Sequence, residues 1–180
     1  MNPTLFNAHV PLHLRTFSSK AKALDMHVYD NVHELVNYHA YQYMPTLLKV
    51  NDFTDEHKAE AAKVLNGEDS DHYIKYGTYW RNGLPRCTVQ LLQDRNTRRA
   101  IILFSDEYPQ PSCLSSVQFL IRNQQLELIA NFRSWELQVY AKYDICLLLE
   151  MAKEVSRHLA DIPLGNLYIN AASAHIIINT

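Results

Sequence analysis

The chain has no apolar run approaching the roughly 18 residues that a membrane-spanning helix requires, so no such helix is expected. Its first residues, "MNPTLFNAHVPLHLR", lack the basic-then-apolar order of a secretory signal. Neither sign of charge dominates: the formal net charge is −2 over 180 residues. Charge-driven binding to nucleic acid or to a membrane surface is therefore not expected. Cysteine is scarce. Cys87, Cys113 and Cys146 show no paired spacing, which argues against a disulfide framework and for a reducing compartment, the cytoplasm by default. Of nine histidines, several fall early (His9, His13, His27, His33 and His39), and none follows a metal spacing such as His-Glu-x-x-His. They are read as surface or core residues. There are no repeats, linkers or low-complexity tracts.

What is present suits one soluble domain with a sizeable core, spanning residues 1–180. Residues 28–44 carry Val32, Leu35, Val36 and His39 or Tyr43 at helical spacing, with Asp30 or Asn31 as cap and Glu34 in the first turn. Thr54 is the expected N-cap of a second helix, and Gly67 follows its end. Residues 86–93 fit helix or strand. "RRAIILF" reads as a buried strand, and "EYPQPSC" as a turn or loop. "LSSVQFLIRNQQLELIANFRS" reads as two strands with a turn near Asn123 and Gln124. The clearest helix is "DICLLLEMAKEVSRHL", where Ile145, Leu148, Leu149, Ala152, Val155 and Leu159 line one face. "GNLYINAASAHIIIN" adds one or two strands. The fold class is α+β, a mixed sheet backed by the 145–159 helix.

Four polar features stand out: Arg98-Arg99, Cys113 in Pro-x-Cys, Arg133-Ser134, and Asp144. Each alone has an ordinary structural explanation. Paired arginines are commonly solvated, a lone cysteine is commonly a small buried hydrophobe, and an Asp before a helix is commonly an N-cap. Asp144 is thus either a cap or a residue that reads a ligand.

Taken in order, these features resemble thymidylate synthase and its relatives, including deoxycytidylate hydroxymethylase. "PSC" resembles the family's Pro-Pro-Cys, which would make Cys113 the nucleophile, and "SVQFLI" resembles the strand that follows. Arg133-Ser134, twenty residues on, is similar to the Arg-Ser phosphate-binding pair. Asp144, eleven residues after Arg133, stands where the family carries the residue that reads the pyrimidine edge. "NTRRAIILF" resembles the strand whose arginines reach the phosphate of the neighbouring subunit, so Arg98 and Arg99 would do so here. "YGTYWR" (Tyr76 to Arg81) and "VHELVNY" (Val32 to Tyr38) resemble two further motifs, the second with Glu34 as organiser of catalytic water. "SAHIIIN" is similar to the His-x-Tyr segment that holds the sugar, which matches His175. The resemblance runs over about residues 32–180. It implies a thymidylate synthase-like fold, a homodimer formed through the sheets, a pyrimidine nucleoside monophosphate as substrate and 5,10-methylenetetrahydrofolate as one-carbon donor. It also implies Glu136 as the acid that meets the pterin.

The chemistry agrees with those residue types. Pyrimidine C5 is a poor nucleophile, and a thiolate adding at C6 makes it enolate-like. Arginines near Cys113 would favour its thiolate, and Arg133, Arg98 and Arg99 would also hold a phosphate. Glu34 and Tyr76 are candidates for moving protons at C5 and at O4 or N4. An Asn amide matches uracil's N3–H donor and O4 acceptor. An acid suits cytosine better, because it accepts from N4 and shares a proton with N3. Asp144 therefore points to C5 hydroxymethylation of (d)CMP. The alternatives are a dUMP- or UMP-methylating synthase and a catalytically silent nucleotide-binding homologue. Departures from the family pattern are Phe132 for Gln, Leu114 for His, "YAKY" for a Gly-x-Pro-Phe turn, Ile177 for Tyr, and the lack of the family's C-terminal extension.

Overall fold

The computed structural model describes residues 8–9, 12–14, 53–70, 72–104, 111–136 and 139–175, with side chains from 53 to 172. The expected 28–44 helix, including Glu34, lies outside these residues, as do most of "EYPQPSC" before Pro111 and Ile177.

Helix α1 (Asp55–Leu65) starts where its sequence directs. Thr54 Oγ1 accepts from the His57 N–H, and His57 Nδ1 accepts from the Thr54 N–H at 2.9 Å. This reciprocal box satisfies two of the donors that a helix start leaves free. Past the other end, Gly67 takes a left-handed φ of 78° that favours glycine.

Helix α2 (Tyr76–Gln93) resolves the ambiguity of residues 86–93, which form its second half. Pro85 removes one backbone donor from its interior. The helix continues across it because Trp80, Gly83, Cys87 and Leu91 form a buried stripe at three- and four-residue spacing. A Cβ on Gly83 would stand 2.7 Å from Ile102 Cγ1, so glycine is what lets α2 lie against the sheet.

The strands are β1 (Ala8–His9), β2 (Leu12–Leu14), β3 (Ile101–Leu103), β4 (Leu114–Arg122), β5 (Gln125–Phe132), β6 (Trp135–Glu136) and β7 (Leu164–His175). They form one mixed sheet of order β1-β7-β5-β4-β3, with β2 and β6 also on β7. β4 and β5 are an antiparallel hairpin whose turn residues, Asn123 and Gln124, have φ of 50° and 62°. Two successive left-handed residues give the turn whose twist matches its strands. β5 and β7 are parallel, so the chain must cross over between them, and helix α3 (Tyr140–His158) makes that crossing.

Alternating residues of β4 and β5 are buried, among them Val117, Phe119, Leu126, Leu128 and Ala130. They meet the α3 stripe of Leu148, Met151, Ala152 and Val155 in a common core. The architecture is the expected α+β mixed sheet backed by this helix. One expectation fails here. α3 begins at Tyr140, four residues before Asp144, because "YAKY" is its first turn: Ala141 and Tyr143 are already buried. Asp144 is therefore not an N-cap. Among the described residues, no helix is long and apolar enough to cross a membrane.

Candidate active site

The hairpin explains the twenty-residue spacing of Cys113 and Arg133. Leu114 pairs with Phe132, and the Arg133 N–H donates to Cys113 O at 2.9 Å, so the two residues flank the open end of β4 and β5. Arg133 Nη2 lies 3.9 Å from Cys113 Sγ. The guanidinium is held there by carbonyl oxygens: Nε and Nη2 donate to Pro111 O at 3.0 and 2.7 Å, and Nε also to Ser112 O at 3.1 Å. Cys113 and Arg133 are exposed, and Ser134 is half-buried in the bend that follows.

Two buried side chains approach from the helices. Tyr76, the first residue of α2, accepts the Leu114 N–H on its hydroxyl at 2.9 Å, beside the nucleophile candidate. Its neighbour Gly77 permits this placement, since a Cβ there would lie 2.1 Å from Glu68 O. Asp144 comes from α3 and is 8% exposed. Its Oδ2 accepts from Trp135 Nε1 at 3.1 Å.

The charges of Asp144 and Arg133 act on both Tyr76 and Cys113, in opposite directions. Cys113, Tyr76, Arg133 and Asp144 are thus within electrostatic reach of one another. Burial pushes the Asp144 carboxyl up to about 7; the Trp135 hydrogen bond opposes the shift and the Glu136 charge adds to it. Burial likewise raises Tyr76 well above the ordinary phenol, with Asp144 adding, so Tyr76 keeps its proton. Cys113 departs from expectation. Although its surface is exposed, desolvation by the atoms packed around it raises its thiol; Arg133 opposes the rise and Asp144 adds to it. A guanidinium nearly 4 Å away, bonded to two carbonyls, is too distant and too occupied to overcome desolvation.

Arg98 and Arg99 are not in this cluster within one chain. β3 runs antiparallel to β4 with Ile101 opposite Gln118 and Leu103 opposite Ser116, so the pair precedes the far end of β3. By strand rise, that is on the order of 20 Å from Cys113. Both arginines are exposed. The neighbouring Arg98 O accepts from Gln118 Nε2 at 2.8 Å, which anchors this end to β4.

Glu136 has a structural task. Its Oε2 accepts from the N–H groups of Val139 at 2.6 Å and Tyr140 at 3.0 Å, capping α3 from strand β6. At 7% exposure and so bonded, it does not fit a pterin contact. His175 pairs in register with Glu136 at the end of β7.

Sequence reasoning passed over Trp135. It is 1% exposed and stacked on Phe132, with ring centroids 5.6 Å apart. A buried indole usually finds an acceptor for its N–H, and an acid nine residues on was the available signal. Among the described residues, no group of three or more His, Cys, Asp or Glu could hold a metal ion.

No protein-family model matches the sequence, and no curated protein does. A solved structure does: the crystal structure of thymidylate synthase from T4 phage is similar with a TM-score of 0.53 and 23% sequence identity. The likeness covers 69% of this chain and 47% of that one, so this chain spans about half of its length. At that identity the likeness bears on architecture, and it shows that the chain has a thymidylate synthase-like fold.

Proposed function

We propose that the protein is a pyrimidine nucleotide C5 one-carbon transferase, a (deoxy)cytidylate 5-hydroxymethyltransferase. The observation that supports this reading is the buried Asp144, whose proton affinity lies near neutrality within electrostatic reach of Cys113 and Tyr76. A carboxyl that is half protonated near pH 7 can donate to cytosine N3 and accept from N4.

In this reading Arg133 and Ser134 hold the phosphate of a pyrimidine nucleoside monophosphate, and His175 faces its sugar. The Cys113 thiolate adds to C6, and the C5–C6 π pair moves onto C5 and the ring. Asp144 supplies a proton at N3 as that charge develops. Tyr76 acts as a neutral phenol, and Glu34 is the partner for proton movement at C5. Expulsion of the thiolate restores the ring after C5 has reacted and lost its proton. Methylenetetrahydrofolate, when bound, would supply the one-carbon electrophile. Glu136 does not fit as its ligand, so the steps assigned to this chain end at the C5 nucleophile.

The reading includes a cytoplasmic homodimer. Arg98 and Arg99, remote from Cys113 in their own chain, would reach the phosphate bound by the other subunit.

The test is release of tritium from C5 of labelled dCMP, CMP, dUMP and UMP, with and without methylenetetrahydrofolate. Release from cytidylates, lost in Cys113→Ser, is expected. Turnover of dUMP alone overturns the cytosine reading in favour of a methylating synthase. A second reading, nucleotide binding without turnover, draws on the raised proton affinity of Cys113. It requires binding that is indifferent to Cys113→Ser and no release from any pyrimidine.

A further inference from the structure

The Asp144 carboxyl has two oxygens, and they are not equivalent. Oδ2 accepts from Trp135 Nε1 at 3.1 Å. An indole N–H is a donor with no acceptor capacity, so the oxygen that faces it serves as an acceptor. The ring cannot readily turn away. It is 1% exposed, stacked on Phe132 at an interplanar angle of 25°, and fixed on β6, which pairs Trp135 with Ala174 of β7.

We propose that Trp135 is a positioning residue that sets base specificity: by occupying Oδ2 of Asp144, its N–H confines the carboxyl proton to Oδ1 and fits the acid to cytosine rather than uracil. This inference rests on the base-reading role given to Asp144 above. Cytosine presents an N3 acceptor beside an N4 donor. An Oδ1–H group donates to N3, and the second lone pair of Oδ2 accepts from N4. Uracil presents the reverse pair, an N3–H donor and an O4 acceptor. Matching it would put the proton on Oδ2, where a hydroxyl oxygen is a poorer acceptor for the indole. An ionised carboxylate would instead set an oxygen against O4, two acceptors face to face. Trp135 touches neither base in this scheme and acts through the acid alone.

The experiment is calorimetric titration of the full chain with dCMP and with dUMP from about pH 5 to about pH 9, for the wild type and Trp135→Phe. Phenylalanine keeps an aromatic ring and deletes the N–H. The wild type should prefer dCMP, and the preference should fall roughly threefold to tenfold in the variant, the scale of a lost hydrogen bond between neutral groups. The pH above which dCMP binding weakens should also move upward, because the Trp135 donor holds the carboxyl down. An unchanged dCMP-to-dUMP ratio and an unchanged midpoint in a folded variant overturn the role of Trp135 while leaving Asp144 as base reader. A wild type without preference for dCMP overturns both.

A measurement on the wild type covers the case of a variant that does not fold. The chain has two tryptophans, hence two indole N–H resonances. One should shift with a midpoint near that of Asp144 and shift again on adding dCMP. If neither moves, the inference fails.

Discussion

Helix α1 is capped by its own neighbours, whereas helix α3 is capped from a strand. At α1 the partners are Thr54 and His57, three residues apart and reciprocal. At α3, Val139 occupies the cap position without a side-chain bond, and Glu136 of β6 accepts from the first two N–H groups. The difference bears on function. Because Glu136 caps, the helix starts early, and Asp144 is carried one turn inside it. There it is desolvated and accepts from the Trp135 indole rather than from its own backbone. The α1 start is ordinary helix chemistry, while the α3 start buries an acid against an indole.

The largest effect expected from breaking this contrast concerns Asp144. Its carboxyl is raised from the ordinary 3.8 to about 7. Within that window the folded chain holds a proton that the unfolded chain has released. The contribution of Asp144 is therefore fully present below about 4, and it is lost as pH rises through about 7. Asp144→Asn keeps an acceptor for the indole and removes the buried charge. It should raise stability at pH 8 by on the order of a few kcal/mol and change little near pH 4. Urea denaturation at the two pH values checks this, and equal effects at both would contradict it.

Glu136→Ala should come next, at about 2 kcal/mol, since two N–H groups at a packed helix start lose their acceptor. Glu136→Gln should retain most of that stability, because an amide oxygen also accepts. Urea midpoints of the two variants give the comparison. A loss below about 0.5 kcal/mol in the alanine variant would mean that the α3 start is held by something other than this carboxylate.

The contrast also explains what could be read from the sequence. Thr54, Gly67 and the Asn123–Gln124 turn are local devices, and each stands where its residue type predicts. The Cys113–Arg133 spacing was legible because it is the length of one hairpin, a quantity set along the chain. Residues 86–93 stayed ambiguous because their few apolar positions suit either period; contact of Gly83 with Ile102, from a different element, settles the helix. "YAKY" hid the α3 start for the same reason. Its helical state depends on Glu136 at its N-terminus and on the burial of Ala141 and Tyr143. Arg98 and Arg99 were recognisable as a motif, but their distance from Cys113 follows from the β3–β4 register. Residue identity carried the chemistry, and pairing between elements decided which groups meet.

The smallest effect belongs to α1. Thr54→Ala should cost about 1 kcal/mol, the usual scale for a lost hydroxyl cap. The box also has a pH dependence of opposite sign to that of Asp144. Burial lowers the affinity of His57 for a proton, the Lys142 and His72 charges lower it further, and Glu56 opposes them. Tyr143, ring-stacked edge-on to His57, donates its hydroxyl to that same Glu56. The folded chain therefore favours neutral His57, whose Nδ1 accepts from the Thr54 N–H, while the unfolded chain protonates near the ordinary 6.5. This contribution is present above 6.5 and is lost as pH falls below it. Stability profiles in the Asp144→Asn background, where the opposing slope is gone, isolate the effect. Thr54→Ala should lower the whole profile and keep its slope. His57→Gln should preserve the box through its amide oxygen and flatten the slope. A slope that survives His57→Gln would assign it to another group, and α1 would then owe its start to Thr54 alone.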